Sequence, residues 1–181
     1  MRAYFFGNMY LSSIQQGIQA GHVISELFCK YPYRDSGRLS KDGHAGEKLR
    51  DWANYHKTMI LLNGGYLETM EDLWTFLDKP ENPYPFEKFH EGLDSLGGVL
   101  TSIGIVLPEK IYLTAAAIRR DRPKRGEKSI AEFIMENERW VVFQDNEYGF
   151  TLQDDEDMLT LPFTKWEFDL MNRLNGFGLA S

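Results

Sequence analysis

The segment 99–107 (VLTSIGIVL) constrains the fold of this chain more than any other. It is apolar almost throughout, rich in β-branched residues and stopped by Pro108, a pattern typical of a strand buried on both faces. Short apolar segments at 3–7 and 57–62 are also predicted buried strands, 86–91 (FEKFHE) is a candidate third strand, and helical patterns separate them. Strands that alternate with helices predict an α/β fold in which helices cover the sheet.

Helices are predicted between these strands. The segment 14–30 begins after a serine pair and ends before a proline, which are common start and stop signals. Shorter helices are predicted at 46–54 and 67–77, and the Asn-Gly-Gly sequence at 63–65 is expected to end the second strand.

The helix at 14–30 is predicted to carry an apolar row and a polar row on neighbouring faces. The apolar row consists of Ala20, Ile24, Leu27 and Phe28. The polar row consists of Gln15, Gln19, His22 and Glu26. Gly17 and Gly21 each weaken a helix by about 1 kcal/mol relative to alanine, which predicts that another part of the molecule packs closely against them.

The polar row follows the first strand directly, at the start of a helix, and this position is suited to binding a ligand. The first N–H groups of a helix are unpaired and favour an anionic or acyl group, and Gln and His side chains add donors that orient a carbonyl or a phosphate. The alternative interpretation is that the row faces water or belongs to an interior hydrogen-bond network.

Residues 109–181 form a predicted α+β extension that packs on the first domain, 1–108. Its predicted elements are a helix at 110–118, a basic loop, a helix at 129–137, a hairpin at 140–152 and a helix at 164–174. The basic loop contains Arg119, Arg120, Arg122, Lys124 and Arg125. These side chains are candidates for contact with an RNA backbone, and the alternative is a solvated loop that an acidic cluster at 154–157 neutralises.

Aromatic residues of the predicted hairpin indicate a second role for the extension, in protein contacts. Trp140, Phe143, Tyr148 and Phe150 either form a surface for a protein partner or a homodimer, or pack onto the sheet domain.

Composition narrows the classes of function. The 27 acidic residues against 20 basic ones give a net charge of −7, which argues against a nucleic-acid surface over the whole chain but not against a local one. The single cysteine, Cys29, excludes an internal disulfide and a Cys-rich zinc site. No apolar window is long enough to span a membrane, so we expect a cytoplasmic protein without a metal or other cofactor.

Four sequence segments resemble the type 2 peptidyl-tRNA hydrolase family in the right order. Residues 11–22 (LSSIQQGIQAGH) resemble its first-helix signature, in which a Gln, two spacer residues and a His follow a glycine-containing loop. Residues 49–61 look like its Trp-ending helix and second strand, and 67–77 resemble its next helix. Residues 89–105 look like the branch that reads Phe-x-Glu-Pro-Asp-Leu and then Leu-Thr-Ala-Ile.

This resemblance implies a fold and an activity. The fold is a small four-stranded mixed sheet flanked by helices, and the activity is hydrolysis of the ester that joins a peptide to the 3′ end of a tRNA, without a metal. The implied catalytic residues are Gln19, His22, Asp94 and Thr101. Asp94 or His22 would orient the water as a base, while Gln19 and Thr101 would hold the ester carbonyl. The implied substrate contacts are Gln15, Gln16 and Glu91.

The chain also departs from the family pattern. Most members carry a lysine at the position of Gln15, or of Gln16 if the alignment slips by one, and a branch that includes phage-encoded sequences carries Gln there. Gly92 replaces the Pro of the motif, and Leu93 is inserted before Asp94. A neutral amide binds an oxyanion more weakly than a charged group. The second hypothesis is therefore a catalytically inactive module that holds RNA or a protein, and the third is a structural or inhibitory protein.

Overall fold

The structure is a computed structural model that describes residues 1–32, 41–122, 124–125, 127, 129–132, 141–146, 149–154 and 163–180. At 41–43, 96, 141–146 and 149–154 the backbone alone is described. The chain divides into two compact units, Met1–Pro108 with Phe177–Ser181, and Glu109–Gly176. The final residues therefore belong to the first unit.

The first unit contains a four-stranded mixed sheet, which confirms the predicted α/β fold. Its strands are β1 (Arg2–Asn8), β2 (Met59–Gly65), β3 (Phe86–His90) and β4 (Leu100–Leu107). They stand in the order β2-β1-β4-β3, and β1 pairs parallel with β2 and antiparallel with β4, which also pairs antiparallel with β3. Every residue of β4 is buried, as its apolar sequence predicts.

Helices cover both faces of this sheet. They are α1 (Ser13–Lys30), α2 (Lys41–Asp51), α3 (Leu67–Leu77) and the short α4 (Leu93–Leu96). Val23 of α1 lies over Gly104, whereas Trp74 of α3 packs on Phe86, the strand partner of Ile105. Because successive strand residues point to opposite faces, α1 and α3 lie on opposite sides of the sheet.

The buried row of α1 differs from the predicted one. Its buried residues are Gln16, Gln19, Ala20, Val23 and Leu27. The prediction for Phe28 was wrong, since its side chain is 41% exposed. It follows Leu27 and so lies about 100° farther round the helix, away from the sheet. The prediction of a close neighbour at Gly17 and Gly21 was also wrong, because no described atom lies within 4 Å of a Cβ added at either.

The segment between α1 and β2 also departs from its predicted boundaries. Helix α2 begins at Lys41 and continues into one π-helical turn, Trp52–His56. Lys57 then takes a left-handed conformation with φ 53°, and the Trp52 indole donates to Thr58 O at 2.9 Å. The second strand consequently starts two residues later than predicted.

Strand β2 runs through Asn63 to Gly65 instead of ending before them. The last residues of the chain stabilise this extension. Asn63 N–H donates to Gly178 O at 2.9 Å, and Ala180 N–H donates to Leu61 O at 3.0 Å. The outer edge of the sheet at β2 is thus partly paired, a general way of blocking unwanted strand addition.

The second unit contains two longer helices, a helical segment at 130–132 and a β-hairpin in its described parts. The longer helices and the hairpin strands are α5 (Glu109–Arg120), β5 (Val141–Asn146), β6 (Gly149–Asp154) and α6 (Lys165–Gly176), with β5 and β6 antiparallel. Glu167 of α6 is buried and pairs with Lys110 of α5 at 3.1 Å. Residues 130–132 are helical, whereas 133–137, Trp140, Tyr148 and 155–157 lie outside the described residues.

Candidate functional site

The candidate site lies where α1 packs against the end of β3 and the start of β4. A β-bulge shapes this place, since Phe89 pairs with Ser102 and His90 pairs with Leu100, which leaves Thr101 as the extra residue of β4. A bulge re-aims a side chain relative to the regular alternation of a strand. The buried Thr101 hydroxyl is directed at α1 as a result.

Gln19 of α1 connects the side chains of this region. Thr101 Oγ1 donates to Gln19 Oε1 at 2.9 Å, and Gln19 Nε2 donates to Glu91 Oε1 at 2.6 Å. Ser95 Oγ donates to the other carboxylate oxygen, Glu91 Oε2, at 3.1 Å. We call Thr101, Gln19, Glu91 and Ser95 the Gln19 network. Its bonds fix the orientation of the Gln19 amide, whose second Nε2 hydrogen has no partner among the described residues.

Glu91 is the ionised group of the Gln19 network. The hydrogen bond from Gln19 is the largest influence that lowers the pKa of Glu91 below its ordinary value, and the bond from Ser95 is the next. Partial desolvation opposes them, while the Gly92 backbone and the charge of His22 lower the pKa further. Donors that favour the charged form keep this carboxylate ionised at neutral pH.

His22 lies beside the Gln19 network. Its exposed ring stacks on Phe89 with centroids 4.4 Å apart and an interplanar angle of 14°. Its ring nitrogens make no hydrogen bond within the described part of the chain. They are therefore available to a water or a ligand, as the sequence prediction for His22 requires.

Asp94 has quite different surroundings from Glu91. It lies in the first turn of α4, where it is exposed and makes no hydrogen bond or ion pair with any described residue. The preceding Leu93, the inserted residue of the motif, is 82% exposed. The structure therefore brings Gln19, Thr101 and Glu91 together by hydrogen bonds but does not bind Asp94 to them.

Gln15 and Gln16 both have structural roles at the start of α1. Gln15 completes a capping box, in which its Oε1 accepts from Ser12 N–H at 2.9 Å and its own N–H donates to Ser12 Oγ at 3.3 Å. Gln16 is buried, and its Nε2 donates to Leu11 O at 3.1 Å. A Cβ at Gly7 would lie 2.8 Å from Gln16 Oε1, so the absence of a side chain at Gly7 makes room for this glutamine.

Ser102 gives a prediction about stability. Its hydroxyl is fully buried and has no hydrogen-bond partner among the described residues. Because an unsatisfied buried hydroxyl costs about 1–3 kcal/mol, we expect Ser102→Ala to raise the free energy of unfolding by about 1 kcal/mol in urea denaturation. Ser25→Ala, on the exposed face of α1, is the control and should change it by less than about 0.5 kcal/mol. A loss of stability in Ser102→Ala would show that the hydroxyl has a bonded partner.

The basic residues predicted to contact RNA belong to the second unit. Arg119 and Arg120 lie in the last turn of α5, and Arg122 donates through Nη1 to Arg119 O at 3.0 Å. Lys124 and Arg125 are exposed. Their side chains follow a helix C-terminus, where positive charge is favourable on general grounds.

Ser95 is the member of the Gln19 network that the sequence did not reveal. It lies in the first turn of α4, and Glu91 stands one residue before the N-cap Gly92, so the turn brings the Ser95 hydroxyl back to the carboxylate. The flanking glycines at 92, 97 and 98 are typical of a turn, so the sequence did not predict the short helix that carries Ser95.

The described residues hold no group of three or more His, Cys, Asp or Glu side chains arranged to bind a metal ion. None of the helices in the described ranges is long and apolar enough to cross a membrane.

Neither a protein-family model nor a curated protein matches this chain. The resemblance to type 2 peptidyl-tRNA hydrolases therefore stays a prediction.

Proposed function

We propose that this protein hydrolyses the ester between the peptide and the tRNA of peptidyl-tRNA. The observation that supports the proposal is the Gln19 network, which joins three of the residues that the sequence predicted for this activity. The proposal includes tRNA as a partner, a cytoplasmic location, and phosphate contacts by the basic residues in and after the last turn of α5.

Ester hydrolysis needs a donor for the carbonyl oxygen and an acceptor that orients water. The second Nε2 hydrogen of Gln19 is the donor in this proposal, because a preorganised amide stabilises the negative charge that develops on that oxygen. Thr101 acts as a positioning residue. Its hydroxyl donates a hydrogen bond to Gln19 Oε1 at 2.9 Å and so fixes which end of the amide faces the ester. His22 and a carboxylate from Glu91 or Asp94 are the candidates that orient the water.

The alternative function is an inactive module that binds RNA or a protein with the same fold. The role of Gln15 favours it. The side-chain oxygen of Gln15 caps α1 at the position where the family resemblance has a lysine, so this position supplies no positive charge to the site.

We expect the wild-type protein to hydrolyse an N-blocked aminoacyl-tRNA, and His22→Ala to lower kcat/KM at least tenfold, equivalent to about 1.4 kcal/mol of barrier. His44→Ala is the matched control, because His44 is an exposed histidine of α2 that contacts Glu47 at 3.5 Å. Labelled substrate and product separated by acid precipitation give the rates, and the requirement that His22→Ala falls while His44→Ala does not excludes a contaminating hydrolase.

Binding of deacylated tRNA separates the two functions. A wild-type protein that binds tRNA but leaves the ester intact would favour the inactive module. A protein that neither binds nor hydrolyses would contradict the hydrolase and the RNA-binding module, and leave the likeness as one of fold alone.

A further inference from the structure

Two carboxylates, Glu91 and Asp94, follow β3 closely in the chain, and they have different surroundings. Glu91 is half-buried and receives hydrogen bonds from Gln19 at 2.6 Å and Ser95 at 3.1 Å. Asp94 is exposed and has no hydrogen bond or ion pair within the described residues. A catalytic group has to be held in one orientation, which is true of Glu91 and not of Asp94.

We propose that Glu91 is the catalytic carboxylate that activates the attacking water, and that Ser95 is the residue that positions it. This inference rests on the proposed ester hydrolysis and assigns to Glu91 the role predicted for Asp94 or His22.

The hydrogen bonds of Glu91 leave it able to hold a water. An ionised carboxylate has about four acceptor positions on its two oxygens. Gln19 occupies a position on Oε1 and Ser95 a position on Oε2, and the Gly92 backbone N–H is a third donor, so at least one of the four positions stays open to a water. The donors come from two different elements, α1 and α4, and together they fix the plane of the carboxylate. The Gly92 carbonyl oxygen, 3.0 Å from Ser95 Oγ, competes for the single hydroxyl hydrogen of Ser95, and ionised Glu91 is the stronger acceptor of the two.

The proposed step balances in atoms and charge. The water oxygen forms a bond to the ester carbonyl carbon while one water proton moves to Glu91. The bond between that carbon and the ribose oxygen then breaks, and the ribose oxygen takes the proton from Glu91. The products are a peptide carboxylic acid, which ionises in water, and a tRNA with a free hydroxyl, and Glu91 returns to its ionised form.

The groups around Glu91 favour its ionised form. Gln19 and Ser95 lower its pKa by hydrogen bonding, and His22 of α1 does so by its charge. The other titratable neighbours along the chain are His90 at the end of β3, whose Nδ1 lies 2.9 Å from Gly98 O, and the exposed Asp94 of α4. Because the step needs ionised Glu91, activity should fall as the pH drops through the pKa of this carboxyl group.

Glu91→Gln and Asp94→Asn distinguish the two carboxylates. The amide oxygen introduced by Glu91→Gln still accepts from Gln19, so folding should be preserved, and circular dichroism checks this. We expect kcat/KM on N-blocked aminoacyl-tRNA to fall at least 100-fold in Glu91→Gln, a larger loss than in Asp94→Asn. Glu91→Asp, which keeps the charge but shortens the side chain, should lose activity as well.

Ser95→Ala tests the positioning role through a pH profile. Loss of one hydrogen bond to ionised Glu91 should raise its pKa and move the acid limb of kcat/KM upward by about half to one pH unit. Ser95→Thr keeps the hydroxyl and should restore the wild-type limb. A limb that stays in place in Ser95→Ala would overturn the role of Ser95.

The outcomes separate this inference from the proposed function. An active wild type in which Glu91→Gln retains activity and Asp94→Asn loses it would overturn the assignment of Glu91 and leave ester hydrolysis standing. A wild type without hydrolysis would overturn the proposed function, and the catalytic role of Glu91 with it.

Discussion

Gly104→Ala should lower the free energy of unfolding by about 1–3 kcal/mol, although alanine is normally the better residue in a strand. A Cβ at this position would lie 2.7 Å from Val23 Cγ1 and 2.9 Å from Phe5 Cδ1. Val23 and Phe5 are fully buried in one core cluster between α1 and the sheet. The added methyl group must therefore displace α1 from β4, the strand on which the site is built.

Gly21→Ala provides the control for this substitution. It replaces a glycine in the exposed middle of α1, where an added Cβ meets no described atom within 4 Å. We expect it to stabilise the protein by about 0.4–1 kcal/mol, because alanine loses less conformational freedom in a helix. Urea unfolding followed by amide hydrogen exchange in β1 and β4 measures both effects within the first unit. Equal effects of the two substitutions would contradict the close approach of α1 to Gly104.

Much of the fold could be predicted because it follows from the pattern of hydrophobic residues along the chain. The apolar run of β4 and the alternation of strands with helices depend on burial, which a sequence expresses directly. The end of β2 could not be predicted in this way. Asn63 to Gly65 looks like a turn, and it continues the strand because residues 177–180 pair with it from the far end of the chain.

The candidate site was predictable to a lesser degree. Helical spacing placed Gln19 and His22 on neighbouring turns, and they reach the same place in the structure. The direction of Thr101 depends on a β-bulge, and the choice between Glu91 and Asp94 depends on the short α4. Both features arise from local backbone geometry, which residue types alone do not specify. The sequence left open the alternative that the polar row of α1 belongs to an interior hydrogen-bond network. In the structure, Gln19 belongs to such a network and the exposed Gln15 does not.

Gln19→Glu should have the largest effect on the site. It would put a second carboxylate at the position of an amide that is 2.6 Å from Glu91 Oε1, on a side chain that is 6% exposed. Two carboxyl groups this close cannot both be ionised, so one of them keeps a proton and its pKa rises. We expect a loss of about 2–5 kcal/mol in the free energy of unfolding at pH 8 and no measurable ester hydrolysis.

The pH dependence of this loss has a definite sign. A carboxyl group whose pKa is raised in the folded state contributes stability below its unfolded pKa of about 4.3 and loses that contribution as the pH rises through the folded value. Gln19→Glu should therefore be less destabilised at pH 5 than at pH 8. Thermal unfolding at the two pH values, with hydrogen exchange in α1 and β4 as the local probe, measures the difference.

Adding Glu91→Gln to Gln19→Glu tests whether the two side chains act as a pair. The double variant has one carboxylate and one amide at the same two positions, with the donor and the acceptor exchanged. We expect it to recover most of the stability at pH 8, because the repulsion is gone and the hydrogen bond can form in the opposite direction. Hydrolysis should stay lost, since the carboxylate now lies on α1 and no longer receives the hydrogen bond from Ser95. Recovery of hydrolysis together with stability would mean that the site needs only a bonded carboxylate and amide, and not a carboxylate at Glu91.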